Sequence, residues 1–175
     1  LSKYRVLIIS THPEYWSRKM YQRVKRWVFE EGGKLLYLGG NGVNCEVDFL
    51  NPQTMVVQNG AMTSLWPEGI GAESRMAKRV ESEANLLGIV FTPAGIMTGA
   101  PYRVVDAHHW VFAGTGLRND DLFGEKCLHM RCPGGASGHE TDNISPLSSP
   151  KNVHLLAKGT NPDDGGAHMV YFDTA

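Results

Sequence analysis

A chain of 175 residues that carries 17 lysines and arginines against 18 aspartates and glutamates has almost no net charge. This balance argues against a nucleic acid or an anionic membrane surface as partner, and no apolar stretch approaches the roughly 18 residues of a membrane span. The length is that of one domain. The three cysteines, Cys45, Cys127 and Cys132, are odd in number and irregularly spaced. We therefore expect no disulfide framework and a reducing, cytoplasmic location.

The first predicted elements form a strand–helix–strand unit. Residues 4–10, YRVLIIS, are a short apolar run rich in β-branched residues, which is typical of a strand buried on both faces. A helix is predicted over 17–31, because Ser17 can cap it, apolar residues recur at helical spacing, and a glycine pair ends it. Residues 34–39, KLLYLG, are a second buried strand. The three elements predict two parallel strands with a right-handed crossover.

The later elements are predicted to extend the same sheet. A helix is expected over about 72–86, and the strand LLGIVFT follows it at 86–92. Residues 93–152 are rich in Gly, Pro, Ser and Asn, which indicates long loops. The turn residues TNPDDGG then separate two strand-like runs between 153 and 173. These patterns predict an open α/β sheet of the doubly wound kind, with insertions after its strands.

Two polar segments leave the carboxyl ends of the first two strands, where such sheets bind ligands. The segment THPEYWS, 11–17, contains Tyr15, and GGNGVNCEV, 39–47, contains several glycines that let the backbone approach a ligand closely. If the two strands are neighbours, Tyr15 and residues 41–46 share one rim. A Tyr at the start of a helix can equally be a packing residue, so both interpretations stay open here.

A third polar cluster lies in the loop GGASGHETDN, 134–143. His139, Glu140 and Asp142 occur there without apolar periodicity, so burial in a core does not explain them. A solvated loop does explain them, and so does a carboxylate that binds a metal or handles a proton beside His139.

Two other kinds of site fit the sequence poorly. Cys127, His129 and Cys132 lack the spacing of a structural zinc site with a matching second pair. A nucleophilic Cys45 would need a glycine-flanked strand-to-helix elbow, and its neighbours are Asn44 and Glu46.

The sequence resembles the carboxyl-terminal domain of the large subunit of N,N-dimethylformamidase and its relatives. The resemblance covers most of the chain, and five motifs in the right order make it fairly specific. The segments that carry it are HPEYWS, LLYLGGNGV, LGIVFTPAGIMTGAPYRVVDAHHWVFAGTGL, GASGHETD and LAKGTNPDDGGAHMVYF.

The resemblance implies a flavodoxin-like fold, similar to class I glutamine amidotransferases, with an open parallel sheet and long loop insertions. It also implies hydrolysis of a small N-substituted amide. The family's reaction converts N,N-dimethylformamide to dimethylamine and formate. The cofactor is expected to be a mononuclear iron, Fe(III), bound by two tyrosines and one glutamate. Phenolate and carboxylate are hard oxygen donors that suit such a cation.

Residue by residue, Tyr15 of HPEYWS matches one tyrosine ligand and Glu140 of GHETD matches the glutamate. Asn44 stands where the second tyrosine is expected. Three alternatives stay open: another tyrosine, Tyr37 or Tyr102, is the ligand; Asn44 or Glu46 offers an oxygen instead; or the metal site is altered or lost. The residues expected to move protons during hydrolysis are the two neighbouring histidines, His139 and His12.

The resemblance also implies partners. We expect a small amide substrate, another large-subunit domain, a small subunit and an oligomer, with no nucleic acid or membrane. The chain begins at Leu1 without a methionine, so residues 1–175 are interpreted as a single domain within a longer large subunit. The alternative function is a non-catalytic assembly or ligand-binding domain, which the Asn44 departure favours. A cysteine-dependent hydrolase that uses Cys45 is the third hypothesis.

Overall fold

The computed structural model describes residues 1–58, 75–126 and 133–174. Its helices, numbered in chain order, are α1 (Arg18–Phe29), α2 (Arg75–Arg79) and α3 (Ala84–Leu87), with 3₁₀ turns at Trp110–Phe112 and Pro162–Asp164. Its strands are β1 (Val6–Thr11), β2 (Tyr15–Trp16), β3 (Lys34–Gly39), β4 (Cys45–Asn51), β5 (Thr54–Val57), β6 (Val90–Thr92), β7 (Gly99–Ala100), β8 (Tyr102–Val104), β9 (Leu122–Phe123), β10 (Ser137–Gly138), β11 (Thr141–Asn143), β12 (His154–Gly159) and β13 (His168–Tyr171).

The predicted strand–helix–strand unit is confirmed. β1 pairs with β3 in parallel, with Val6 opposite Lys34. α1 begins as expected, because the Ser17 side chain accepts a hydrogen bond from the Met20 amide at 3.2 Å. The amphipathic pattern gives α1 one buried face, formed by Tyr21, Val24, Trp27 and Val28.

The prediction of one open, parallel, flavodoxin-like sheet is wrong. The described strands form several small sheets, in which β1–β3 and β2–β4 are parallel and the other pairs are antiparallel. The physical reason is the scarcity of crossover helices. Parallel neighbours need a connection of about a dozen residues, usually a helix, and α1 is the one long helix of the described chain. The pairs formed among β4 to β13 are antiparallel, both between chain neighbours such as β12–β13 and between distant strands such as β6–β11.

Two later predictions have different outcomes. The strand–turn–strand near the end is confirmed, since β12 and β13 are antiparallel neighbours in a sheet of order β13-β12-β8-β9. The single helix expected over 72–86 is wrong where the structure describes it: α2 and α3 are separate. Between them the Ser82 hydroxyl accepts from the Ala84 amide at 3.2 Å, a local bond that competes with helix continuation. Residues 72–74 lie outside the described chain.

Two apolar clusters form the core. The larger one joins α1, α3 and the inner face of the β1–β3 pair, including Leu35 and Tyr37. The smaller one lies under the β8–β12 pair around Phe112 and Leu156. Among the described residues, no helix is both long enough and apolar enough to cross a membrane.

The outer face of the β1–β3 pair is exposed, so the prediction of strands buried on both faces is wrong. Ile8 is 59% exposed and Leu38 is 57% exposed. Their alternation with inward-facing residues is the period of two of any strand. What covers the second face is a matter of tertiary structure, and none of the described elements covers it.

Candidate functional site

The corner after β1 and the loop after β3 meet on one rim. Tyr15 of β2 lies opposite Cys45 of β4 in a parallel pair. The Cys45 amide donates to the Glu14 carbonyl at 2.9 Å, and the Val43 amide donates to the Pro13 carbonyl at 2.8 Å. The expectation that Tyr15 and residues 41–46 share a rim is therefore confirmed.

Glycines bring the third segment, which contains Glu140, onto this rim. A Cβ atom on Gly40 would lie 2.0 Å from the Glu140 carbonyl oxygen, and one on Gly39 would lie 2.4 Å from the Thr11 carbonyl oxygen. Real side chains do not tolerate such distances to backbone atoms. The GlyGly pair after β3 is thus required for the three segments to pack together.

His12 lies between two carboxylates. Its Nε2 is 3.1 Å from Glu14 Oε2, and its Nδ1 is 3.0 Å from Glu140 Oε2. The latter contact is within ion-pair distance, although Glu140 Oε2, a buried atom, receives no well-aligned hydrogen bond. A neutral imidazole has one N–H and can donate a hydrogen bond to one carboxylate at a time, whereas a protonated His12 can donate to both. This arrangement places a proton carrier directly beside Glu140.

His139 has an unusual backbone and an unpartnered ring atom. Its φ of 65° lies in the left-handed region, which costs free energy in a residue other than glycine. The backbone is held there by bonds to neighbouring chain: the His139 amide donates to the Thr98 carbonyl at 2.9 Å, and its own carbonyl accepts from the Met97 amide at 2.7 Å. The buried Nδ1 has no hydrogen-bond partner among the described residues, so it is available to a ligand.

The two remaining predicted ligands differ in accessibility. Tyr15 is 45% exposed, so its phenol reaches the surface of the rim. Asn44 is buried, its side-chain amide donates to Asn41 Oδ1, and its carbonyl accepts from the Met76 amide at 2.8 Å. Asn44 therefore also orders the loop after β3.

The two alternative tyrosines are engaged by neighbouring side chains. The Tyr37 hydroxyl donates to Asp142 Oδ2 at 2.7 Å, and burial together with this carboxylate raises the pKa of Tyr37. Burial raises the pKa of Tyr102 to about 12, and its ring stacks on Phe123 with centroids 5.5 Å apart.

Asp142 joins the Glu140 loop to the β3 loop. Its buried carboxylate accepts from the Tyr37 hydroxyl and, at 2.8 Å, from the Asn41 amide. Burial raises the pKa of Asp142 to about 6. Its bridging contact, like that of Gly40, was missed by sequence reasoning. The sequence features that could have indicated these contacts are Asp142 itself, two positions after Glu140, and the glycine pair after β3.

Cys45 does not have the environment of a nucleophile. It is fully buried inside β4, and its thiol faces the Glu46 carbonyl at 3.6 Å. A nucleophile needs exposure on an elbow beside a base. Cys127, His129 and Cys132 lie outside the described residues.

Protonation of His168, a histidine outside the rim, should lower the stability of the folded chain at acidic pH. Burial lowers the pKa of His168 to about 4; Lys158 adds to this shift and Asp164 opposes it. Since an unfolded histidine has a pKa near 6.5, the unfolded chain binds the proton first. Stability that is fully present above about pH 6.5 is therefore lost as the pH falls toward about 4.

We expect His168→Asn to have a weaker loss of stability over this range, measured by urea unfolding at pH 4.5 and 7. Asparagine can still accept from the Ile144 amide, which lies 3.1 Å from His168 Nδ1. His108→Asn, at an exposed position, serves as the control and should keep the wild-type pH dependence. Equal pH dependence in all three proteins would contradict the prediction.

Within the described ranges, no group of three or more His, Cys, Asp and Glu side chains is arranged to hold a metal ion. A metal site in this part of the chain would consequently need phenolate or amide oxygens as well. Tyr15 and Asn44 carry oxygens of these types, and both lie in the segments that meet where β2 pairs with β4.

The fold and the rim define a small mixed α/β domain with carboxylate and histidine side chains gathered at strand ends. Residues 1–175 match the model of the family described as N,N-dimethylformamidase beta subunit-like, C-terminal. The chain belongs to this family, and the resemblance seen in the sequence is confirmed. A search of curated proteins found no match. The chain is thus a dimethylformamidase-related domain.

Proposed function

We propose that this domain carries an iron-dependent site that hydrolyses a small N-substituted amide, such as N,N-dimethylformamide to dimethylamine and formate. The observation that supports it most is the contact between His12 and Glu140, at 3.0 Å. It joins the corner that bears Tyr15 to the loop that bears the carboxylate. This contact supports the proposal because it joins the segments that carry Tyr15 and Glu140, although these residues are 125 positions apart in the sequence.

The donor types on the rim suit a hard cation. Tyr15, Glu140 and Asn44 would hold the iron as phenolate, carboxylate and amide oxygen. When bound, such a metal polarises an amide carbonyl and lowers the pKa of a water molecule. This proposal uses neither Tyr37, whose hydroxyl donates to Asp142 Oδ2 at 2.7 Å, nor Tyr102, whose ring stacks on Phe123.

The protein's own residues would move the protons. Glu14 is buried and orients the His12 ring through Nε2 at 3.1 Å, as an outer carboxylate does for a ligand or base. His12 would take the proton from the attacking water and later give it to the departing amine, so that one water is consumed for each amide cleaved. His139, with its free Nδ1, is the second candidate for this role.

The family description as beta-subunit-like supports the further proposal that the domain works in a multi-subunit enzyme. Another large-subunit domain, a small subunit and a cytoplasmic location belong to this proposal. The substrate contacts would then come partly from those other regions.

The proposal is tested by metal content after reconstitution with a ferric salt, followed by desalting and mass spectrometry. We expect about one iron per chain and a visible tyrosinate-to-iron band, both lost in Tyr15→Phe and Glu140→Gln. The matched controls are Tyr4→Phe, at a position 68% exposed, and Glu125→Gln, also exposed. His12→Gln should weaken iron binding by about 10–100-fold, as expected for an orienting contact.

Iron binding that is unchanged in Tyr15→Phe and Glu140→Gln, with near-ultraviolet circular dichroism confirming that both are folded, would contradict the site. No iron in any of the proteins would favour the alternative function, a non-catalytic assembly or ligand-binding domain. The observation that favours this alternative is Asn44, which stands where a tyrosine is expected and whose amide is engaged by Asn41.

A further inference from the structure

A long cleft of about 960 Å³ separates the β1–β3 pair from the β13–β12 pair. Every residue of β3, from Lys34 to Gly39, lines it, and so does every residue of β13. A strand that presents only one face to a cavity lines it with every second residue. Because consecutive residues of β3 and of β13 line the cleft, both strands also present their edges to it. Leu86 and Ile89, part of the larger core cluster, contribute to its apolar wall.

The β3 edge toward the cleft has unused hydrogen-bonding groups. On the other edge, the Lys34 amide donates to the Arg5 carbonyl at 3.0 Å, and the Gly40 amide donates to the Thr11 carbonyl at 3.2 Å. Because backbone groups alternate along a strand, the amides of Leu35, Tyr37 and Gly39 point away from β1. β3 pairs with no other strand among the described residues.

β13 presents a similar edge. It pairs with β12, and the Gly159 amide donates to the Ala167 carbonyl at 2.8 Å. By the same alternation, the backbone amide and carbonyl of Met169 point toward β12, whereas those of Val170 point away from it. In the described chain no second strand pairs with β13.

The two edges run in opposite directions. The start of β13 lies near the Glu140 loop, since the Ile144 amide donates to His168 Nδ1 at 3.1 Å. Gly40, at the end of β3, packs against Glu140. A strand placed in the cleft would therefore be parallel to one edge and antiparallel to the other, and both pairings are allowed in mixed sheets.

The charges of the cleft lie at its ends. Of the lining residues, Lys34 starts β3 and Asp173 follows β13, while Glu140 and, in β11, Asp142 lie at the opposite end. Between these ends the walls are uncharged on both faces: Leu35 packs on the core, and Leu36 and Leu38 are 44% and 57% exposed. An occupant that complements this pattern is apolar in the middle and carries charge only at its ends.

We infer that the cleft binds one extended segment of a separate partner polypeptide, apolar in its middle, as a strand between β3 and β13. A strand provides a row of amides and carbonyls for both edges, and apolar side chains at alternate positions for both faces. A small apolar ligand would leave the backbone groups of the two edges unpaired. Pairing also removes the exposed edges, which otherwise favour aggregation. The inference does not rest on the proposed iron chemistry, although Glu140 lies at one end of the cleft.

The test uses a labelled peptide of alternating valine and isoleucine with a lysine at each end, added to the purified chain. We expect saturable binding in fluorescence anisotropy and slower hydrogen exchange at the Leu35, Tyr37 and Gly39 amides. The same peptide N-methylated at alternate amides should bind more weakly by about tenfold or more. Leu38→Lys should have a similar effect, whereas Phe49→Lys, at a position 60% exposed in a different sheet, should not.

Absence of binding, or equal binding of the N-methylated peptide, would overturn the inference. Sedimentation velocity adds a further outcome. Concentration-dependent dimerisation that Leu38→Lys abolishes and Phe49→Lys does not would assign the cleft to a second copy of the chain, which also overturns it.

Discussion

Replacing Trp27 by alanine should lower the free energy of unfolding by about 3–5 kcal/mol, the usual cost of removing a buried aromatic side chain. Trp27 is 2% exposed and lies in the larger core cluster. Its indole ring also occupies the space beside Gly33, where a Cβ would lie 2.3 Å from the ring. The loss therefore leaves a cavity between α1 and the chain that leads into β3. Urea unfolding followed by far-ultraviolet circular dichroism measures it.

Trp110→Ala is the matched control for Trp27→Ala. Trp110 is 66% exposed and makes edge contact with Tyr171, with ring centroids 5.6 Å apart. We expect a loss of about 1 kcal/mol or less, the range for an aromatic pair. Comparable losses for the two variants would mean that Trp27 is not in a well-packed core, and would contradict the described packing of α1.

Replacing Gly40 by alanine should disrupt the rim itself. The new Cβ would meet the Glu140 carbonyl oxygen at 2.0 Å, and no side-chain rotation can move either atom away. Overpacking of this kind costs about 1–3 kcal/mol. The displacement also moves Glu140 from His12, so we expect reconstituted iron to fall well below one per chain. Urea unfolding and metal analysis of the same preparation measure both effects.

Gly114→Ala separates crowding from backbone strain. Gly114 has a φ of +78° and no atom within 4 Å of an added Cβ, so strain alone should cost about 1 kcal/mol and leave metal content unchanged. If Gly40→Ala retained full stability and the wild-type metal content, the close approach of the β3 loop to Glu140 would be refuted.

Trp27→Ala tests the packing of a helix, whereas Gly40→Ala tests a contact between distant segments. Trp27 lies in a helix whose face is evident from sequence periodicity, whereas Gly40 acts through a carbonyl 100 positions away. A change at the first residue reduces stability throughout the unit built on α1. A change at the second mainly alters how the rim segments are placed.

The sequence by itself determined the local elements. Apolar periodicity, the Ser17 cap and the glycine pair predicted α1 and its two parallel strands, and turn residues predicted the β12–β13 hairpin. The helix and the hairpin depend on residues close in the chain, because their hydrogen bonds span a few positions. The parallel pairing of β1 with β3 follows from the single crossover through α1. The shared rim of Tyr15 and residues 41–46 was also predictable, since parallel neighbours end at the same edge.

Only the tertiary structure decided how these pieces are combined. The sheet is divided into small, largely antiparallel groups, and the outer face around Leu38 is exposed. The contacts of Glu140 with His12 and Gly40, and of Asp142 with Tyr37, join positions about 100 or more apart. Neither periodicity nor turn chemistry encodes such pairings, because they arise from competition among whole elements for the same apolar surface and hydrogen-bond partners.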